Sequence, residues 1–331
     1  MTLESGPGSV KPGALGHGIR KVYAACPAAG RTDVTPSPPR PPLQATTIGI
    51  LCGVGAACCW AAGFVAAKHG ISQGLAPADL AFHRFVWSGL ILIPVMVKAG
   101  FSDLGGIGWG RGLIVLTLAG PLQAIVSYTG FTLAPLGHGA VIHPASAALG
   151  GFILAWLILG ERLNLGRVLG LSAIVAGLLV LAGEAVTTLG THALGGDALF
   201  AIAGLMWAVF TTCLRGWRTS GIMAARVVGV LSLLIYAPLH AMLFGFERMI
   251  VVGWTENLLQ MAVQGIFAGL LAIYLFGRAV TALGAGRAST FPTLVPACTM
   301  LIGFLALGEV PTLVQLTGLA IVALGFRFAL R

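Results

Sequence analysis

HPASAALGGFILAWLILGERLNLGRVLGLSAIVAGLLVLAG, residues His143 to Gly183, recurs without a gap as FPTLVPACTMLIGFLALGEVPTLVQLTGLAIVALGF, which begins at Phe291. A shift of 148 positions (144 to 292) matches Pro144 with Pro292, Gly160 with Gly308, Glu161 with Glu309, Leu165 with Leu313, Gly170 with Gly318 and Gly177 with Gly325. Chance could supply one or two Gly or Leu matches in a chain rich in both residues. A Pro, a Gly-Glu pair and two further glycines in one register indicate an internal duplication, the signature of a repeat architecture.

The composition is that of a membrane protein. The chain is 57% hydrophobic and 9% charged, with a mean hydropathy of +0.95, whereas about 25% of the residues of a soluble domain are charged. Long uncharged runs separate the few charges, and a bilayer core takes about 20 apolar residues per helix. We therefore predict an all-α integral membrane protein with ten transmembrane spans, numbered 1 to 10, at about 46–68, 78–98, 112–133, 138–159, 165–184, 198–215, 225–246, 257–279, 285–307 and 311–330.

Ten spans and one duplication predict two repeats of five helices. Residues 1–45 hold eight of the seventeen prolines and no apolar periodicity, which predicts a disordered cytoplasmic tail. The first repeat is then 46–184, the linker 185–197 and the second repeat 198–331. Because five is odd, the second repeat crosses the membrane in the opposite direction. Inverted repeats of this kind place a binding site near the midplane, at the interface of the halves, and support alternating access.

The formal charge of +9 is explained by orientation. With ten spans and a cytoplasmic N-terminus, only Lys68, Arg84 and Arg248 of the 19 Lys and Arg residues fall outside, which leaves 16 inside. This asymmetry follows the positive-inside rule and predicts an inner-membrane protein with both termini in the cytoplasm. Because no basic face is interleaved with aromatic residues, we expect a lipid bilayer and no nucleic acid among the partners.

No motif for catalysis or for a cofactor occurs in the sequence. We find no nucleotide-binding loop, metal-ligand spacing or nucleophile elbow, so we predict no cofactor, no metal and no enzymatic activity. Glu161 and Glu309 could suggest the carboxylate pair of a hydrolase, but the predicted topology puts them on opposite membrane faces. Each is better explained as a structural residue at the start of the following helix, whose positive dipole end favours a carboxylate.

Several short motifs occur in order along residues 46–330. They are Trp60–Phe64–Lys68, Pro77 with Arg84, Leu159-Gly160-Glu161, Gly196-Asp197 with Trp207, Tyr274 with Arg278, Gly286-Arg287-Ala288, Pro292 and Leu307-Gly308-Glu309. On these residues the chain resembles the drug/metabolite transporter superfamily, specifically its EamA-type members with two five-helix repeats. The resemblance implies that helices 1–4 and 6–9 surround a central cavity, while helices 5 and 10 are peripheral and often associated with dimerisation. A homodimer is therefore possible.

One stretch departs from the family pattern. Many relatives carry a small polar residue and an Asn just after the Trp of span 1, whereas this chain has Ala61-Ala62-Gly63. No side-chain contact with a polar substrate can be carried over to these positions.

Polar groups within apolar spans are expensive and usually face the interior of the bundle. Arg84, two turns into span 2, could bind an anion or carboxylate, or could extend along the bilayer interface with its head in water. His143, just before Pro144, could carry a coupling proton because histidine titrates near neutral pH. Alternatively, it is a structural histidine bonded to a carbonyl. In the duplicated position stands Phe291, so a proton role would belong to one half only.

The remaining candidates are aromatic or amide side chains inside spans. Gln123, Tyr128, Gln264 and Tyr274 could line the cavity or form hydrogen bonds between helices, and Trp60 and Trp207 could form cavity walls or pack. The predicted substrate-binding set is Trp60, Arg84, Gln123, Tyr128, His143, Trp207, Gln264 and Tyr274.

These features together predict a secondary-active transporter of small organic metabolites or drugs, working by alternating access, with a small-molecule substrate and a coupling proton as candidate partners. Two alternatives stay open: a membrane-embedded enzyme acting on a lipid-linked substrate, and a membrane scaffold that transports nothing. The enzyme would require clustered acids or histidines near one membrane face, and the scaffold would require no polar cavity.

Overall fold

A computed structural model describes residues 43–159, 165–184, 190–283, 288 and 291–329. Within these ranges the regular secondary structure is entirely helical, with no β-strand, and short turns connect the helices. The predicted tail lies outside the described residues apart from 43–45, which already belong to the first helix. Glu161 and Arg287 also lie outside them.

Thirteen α-helices are described. They are α1 Leu43–Ser72, α2 Pro77–Ala99, α3 Trp109–Ala119, α4 Pro121–Leu133, α5 Leu136–Leu159, α6 Leu165–Glu184, α7 Thr191–Trp217, α8 Gly221–Leu231, α9 Ala237–Leu243, α10 Glu247–Gln260, α11 Ala272–Leu283, α12 Val295–Leu307 and α13 Leu313–Ala329. Short 3₁₀ turns cover Leu104–Gly106 and Phe291–Leu294, and π-helical segments cover Ser232–Tyr236 and Met261–Leu271.

Several of these helices run together into membrane-spanning rods. Within the described residues, seven are long and apolar enough to cross a bilayer: 46–72, 77–99, 109–133, 136–158, 192–217, 221–243 and 247–283. Three shorter apolar helices, 168–180, 291–307 and 313–328, coincide with predicted spans 5, 9 and 10. A multi-pass, all-helical membrane protein is therefore confirmed, while the full set of ten crossings and their inverted directions stay predictions.

Two helices begin at least seven residues earlier than the sequence analysis expected. The rod of span 8 begins at Glu247 instead of about 257, and it is broken at Gly253, which has φ +83°. The Asn257 side chain caps this break by donating to the carbonyls of Met249 at 2.6 Å and Gly253 at 2.7 Å. Helix α7 begins at Thr191, so Asp197, which the prediction placed in the linker, lies inside a helix.

The helices pack in reciprocal pairs across the middle of the sequence. Span 3 packs on span 6, and its counterpart, span 8, packs on span 1. In the same way, span 4 packs on span 6 and span 9 packs on span 1. Spans 2 and 7 pack on each other, as do spans 5 and 10. Exchanging each span with the one five places along therefore reproduces these principal pairings. Small residues permit close approaches between spans 5 and 10: a Cβ at Gly325 would lie 2.8 Å from the carbonyl oxygen of Gly170, and one at Gly177 would lie 3.0 Å from that of Gly318.

Candidate functional site

Arg84 forms a hydrogen-bonded group with two of the other predicted site residues. Its Nη1 donates to the Tyr128 hydroxyl at 3.2 Å and to Oε1 of Gln264 at 3.4 Å, and the Tyr128 hydroxyl donates to the same Oε1 at 3.0 Å. Tyr128 and Gln264 are only 2% and 0% exposed. The three residues come from α2, α4 and the second π-helical segment, so the group joins both halves of the chain.

Local backbone features place Gln264 against α1. The residue lies in the π-helical segment Met261–Leu271, a distortion that is frequent at functional sites. Its Nε2 donates to the carbonyl oxygen of Gly63 at 2.8 Å. A Cβ at Gly63 would lie 2.8 Å from the Ala268 Cβ, so glycine allows the close approach. At the position where the family pattern has polar side chains, this chain offers a backbone carbonyl.

Gln123 and His143 form a second group beside the first. The Nε2 of Gln123 lies 3.1 Å from Nε2 of His143 and donates to the carbonyl oxygen of Ala203 at 3.3 Å. The ring of Phe64, the residue after Gly63, packs edge-on against His143 with 5.5 Å between centroids. Both groups therefore contact neighbouring residues of α1: Gly63 bonds to the first group and Phe64 packs on the second.

Six buried polar atoms have no hydrogen-bond partner among the described residues, and Oγ of Ser127, Nδ1 of His143 and Oγ1 of Thr299 are three of them. Buried polar groups are nearly always paired, so each marks a place where a water or a ligand group can bind. Ser127 follows Gln123 by one helical turn and precedes Tyr128, which puts it beside both groups.

Among the described residues, no hydrogen bond joins the three remaining predicted site residues to these groups. The Trp60 ring packs at 5.5 Å on Phe276, and Trp207 packs at 5.0 Å on Phe210. Tyr274 is 58% exposed, while Ala272 and Ala279 on the same helix are buried. Roles of these aromatic residues as substrate contacts stay predictions, as does the role of every member of the set.

Sequence reasoning missed three histidine–carboxylate pairs, each of which joins the first half of the chain to the second. They are Asp79–His240 at 3.0 Å, His138–Asp197 at 2.8 Å and His69–Glu256 at 3.2 Å. The first two pairs are almost fully buried. An acid near the start of an apolar helix was the available signal, because a buried carboxylate requires a partner.

Among the described residues, Arg278 and Glu309 form no hydrogen bond with the Arg84 group. Arg278 is exposed. Glu309 lines a groove of about 260 Å³ together with Gln315, at the start of α5 and between α12 and α13. Among the described residues, no cluster of three His, Cys, Asp or Glu could hold a metal ion.

Comparison with known proteins identifies the family. The EamA-like transporter family matches the chain twice, over residues 47–183 and 194–331. The chain belongs to the EamA-like transporter family. Its resemblance to the EamA-type transporters is thereby confirmed, and both halves of the predicted duplication carry the family's repeat.

Two curated relatives of this EamA protein also carry transporter names. An uncharacterized transporter of Archaeoglobus fulgidus is 24% identical over 260 residues, which cover 76% of this chain and 86% of the relative. The uncharacterized transporter YyaM of Bacillus subtilis is 27% identical over 180 residues, which cover 52% of this chain and 57% of the relative. A solved crystal structure is similar in fold, with a TM-score of 0.56 at 20% identity over 86% of this chain and 96% of its own.

Proposed function

We propose that this protein is a secondary-active transporter of small organic metabolites or drugs that works by alternating access. The observation that carries the proposal is the Arg84–Tyr128–Gln264 group, which draws polar side chains from both halves into the interior of apolar helices. Polar groups are costly there and usually line a substrate or ion pathway. Family membership and the transporter names of the relatives support the same function.

The proposed mechanism rests on the duplication. Two five-helix repeats in opposite membrane orientation would exchange roles between two states, each open to one side, around a site between them. The reciprocal packing of spans supports this arrangement, because exchanging the repeats preserves the principal helix pairings. The driving force would be a coupling proton or exchange of substrates. We place the protein in the inner membrane with both termini in the cytoplasm, as a monomer or a homodimer.

A membrane enzyme and a scaffold remain the rival functions. The histidine–carboxylate pairs are the groups an enzyme could use. Each of these acids, however, is bound to a histidine from another helix, which is the arrangement expected of interhelical contacts. A scaffold would have no need of the unpaired polar atoms at Ser127 and His143.

The test begins with a thermal-shift screen of purified protein against anionic, zwitterionic, neutral and cationic small molecules, because a bound ligand raises apparent stability by mass action. Each ligand found is then tested for counterflow in proteoliposomes loaded with the unlabelled compound. A transporter accumulates the labelled compound transiently above protein-free vesicles. Ligands that bind but never exchange across the bilayer would contradict the proposed function.

A further inference from the structure

The Arg84 guanidinium has no acidic partner among the described residues. Its hydrogen bonds go to Tyr128 and Gln264, which are both neutral. The described ion pairs involve histidines and other acids, and none involves Arg84. A cation therefore lies inside the bundle, and no carboxylate among the described residues pairs with it.

The orientation of Arg84 argues against an interfacial role. A side chain that extends to the bilayer surface keeps its head in water, whereas Nη1 of Arg84 lies within hydrogen-bond distance of two side chains that are 2% exposed or less. Guanidinium carries five N–H donors in a planar fork, and the two recorded hydrogen bonds both come from Nη1. Among the described residues, Nε and Nη2 have no acceptor, so these donors are available to a ligand.

The unpaired polar atoms nearby are neutral. The Ser127 hydroxyl can donate and accept, and Nδ1 of His143 is the free ring nitrogen of a histidine whose Nε2 faces Gln123. The aromatic ring of Phe64 packs against both His143 and Phe131, which adds an apolar wall. The site thus offers one cation, two neutral hydrogen-bonding groups and an apolar surface.

We propose that the transported substrate is a small organic anion, bound through a carboxylate to Arg84 and through a neutral polar group to Ser127 or His143. A carboxylate matches the planar guanidinium fork with two parallel hydrogen bonds. Because this inference names the substrate class of the site above, it rests on the proposed function.

Matched pairs of carboxylates and their primary amides test the inference directly. The probes are acetate and acetamide, lactate and lactamide, and benzoate and benzamide, with choline as a cationic probe. Binding to the purified wild-type protein is measured by thermal shift and by tryptophan fluorescence. Since hydrogen bonds to a charged group are roughly twice as strong as neutral ones, we expect the carboxylate to bind about tenfold or more tightly than the amide in at least one pair, and choline not to bind.

Variants then assign the preference to Arg84. Arg84→Gln should abolish the difference between carboxylate and amide, and Arg84→Lys should retain part of it. The exposed Arg248 provides the matched control, so Arg248→Gln should leave the preference unchanged. The wild-type comparison keeps the inference testable even if Arg84→Gln does not fold.

The outcomes separate this inference from the proposed function. Lack of carboxylate preference in every pair overturns the inference, as does a preference that survives in Arg84→Gln. If neutral or cationic compounds nevertheless show counterflow, the transporter function stands and only the anionic substrate class fails. If carboxylates bind through Arg84 but never exchange, the substrate class stands and the transport function fails.

Discussion

The Asp79 carboxylate accepts a hydrogen bond at each of its two oxygens. Oδ1 lies 3.0 Å from Nε2 of His240, and Oδ2 accepts from the backbone N–H of Ala76 at 2.8 Å. The Asp79 and His240 side chains are 1% and 0% exposed. One acid in the first turn of α2 thus caps that helix and fastens it to α9 in the other half of the chain.

Replacing this acid should destabilise the fold. Asp79→Ala leaves His240 buried without its partner, which costs about 1–3 kcal/mol, and removes the cap, which costs about 1 kcal/mol. Denaturant unfolding in micelles measures the loss. The exposed Asp103 is the matched control, and Asp103→Ala should change stability by less than about 0.5 kcal/mol. Equal effects of the two substitutions would refute the structural role of the Asp79–His240 pair.

Substitutions of two tyrosines test which members of the predicted set contribute to substrate binding. Tyr128→Phe removes a hydroxyl that bonds both Arg84 and Gln264. We expect it to weaken substrate binding several-fold, because a hydrogen bond contributes about 0.5–1.5 kcal/mol. Tyr274→Phe should have no effect, since Tyr274 is 58% exposed and stands apart from the group. Counterflow with a substrate found by the screen measures both. A greater loss in Tyr274→Phe would move the site to α11.

Close packing of α6 on α13 can be tested with a single methyl group. A Cβ at Gly325 would lie 2.8 Å from the Gly170 carbonyl oxygen and 2.9 Å from the Ile174 nitrogen. Gly325→Ala should therefore lower the free energy of unfolding by about 1–3 kcal/mol. A Cβ at Gly151, within α5, would meet no atom within 4 Å, so Gly151→Ala should be neutral or slightly stabilising. Thermal unfolding that fails to rank the two variants in this order would count against the observed packing.

A coupling role for His143 predicts a change in pH dependence. If His143 carries the proton, His143→Gln should flatten the dependence of transport rate on pH between about pH 5 and 8, where histidine changes charge. The exposed His192 is the control, and His192→Gln should keep the wild-type profile. Transport in proteoliposomes at a series of pH values measures this. A wild-type profile in His143→Gln would remove His143 as the proton carrier.

Much of the helical fold could be predicted because long apolar runs directly indicate membrane-spanning helices. Arg84, Gln123, Tyr128, His143 and Gln264 stood out for the same reason: each is a polar residue in an apolar span. The sequence could not specify which of these residues bond to one another. In the structure, Arg84 bonds to Tyr128 and Gln264, and Gln123 lies within hydrogen-bond distance of His143.

Other features depended on contacts between distant residues. Asp197 looked like part of a polar linker, and only its pairing with the buried His138 explains its place inside α7. The early start of the rod of span 8 depends on a positive-φ glycine, Gly253, and on the capping amide of Asn257. Residue type alone could not show that Tyr128 is buried and Tyr274 is exposed, because the exposure of a side chain depends on which face of its helix packs against other helices.

The central claim is that two five-helix repeats lie in opposite orientation across the membrane, with the Arg84 group between them. Its most direct test places a side-specific reporter at the N-terminus, at the C-terminus and within the 185–197 segment of the intact protein. The account predicts that both termini report the cytoplasm and that the segment reports the opposite side. Detection of the segment on the same side as the termini would contradict it.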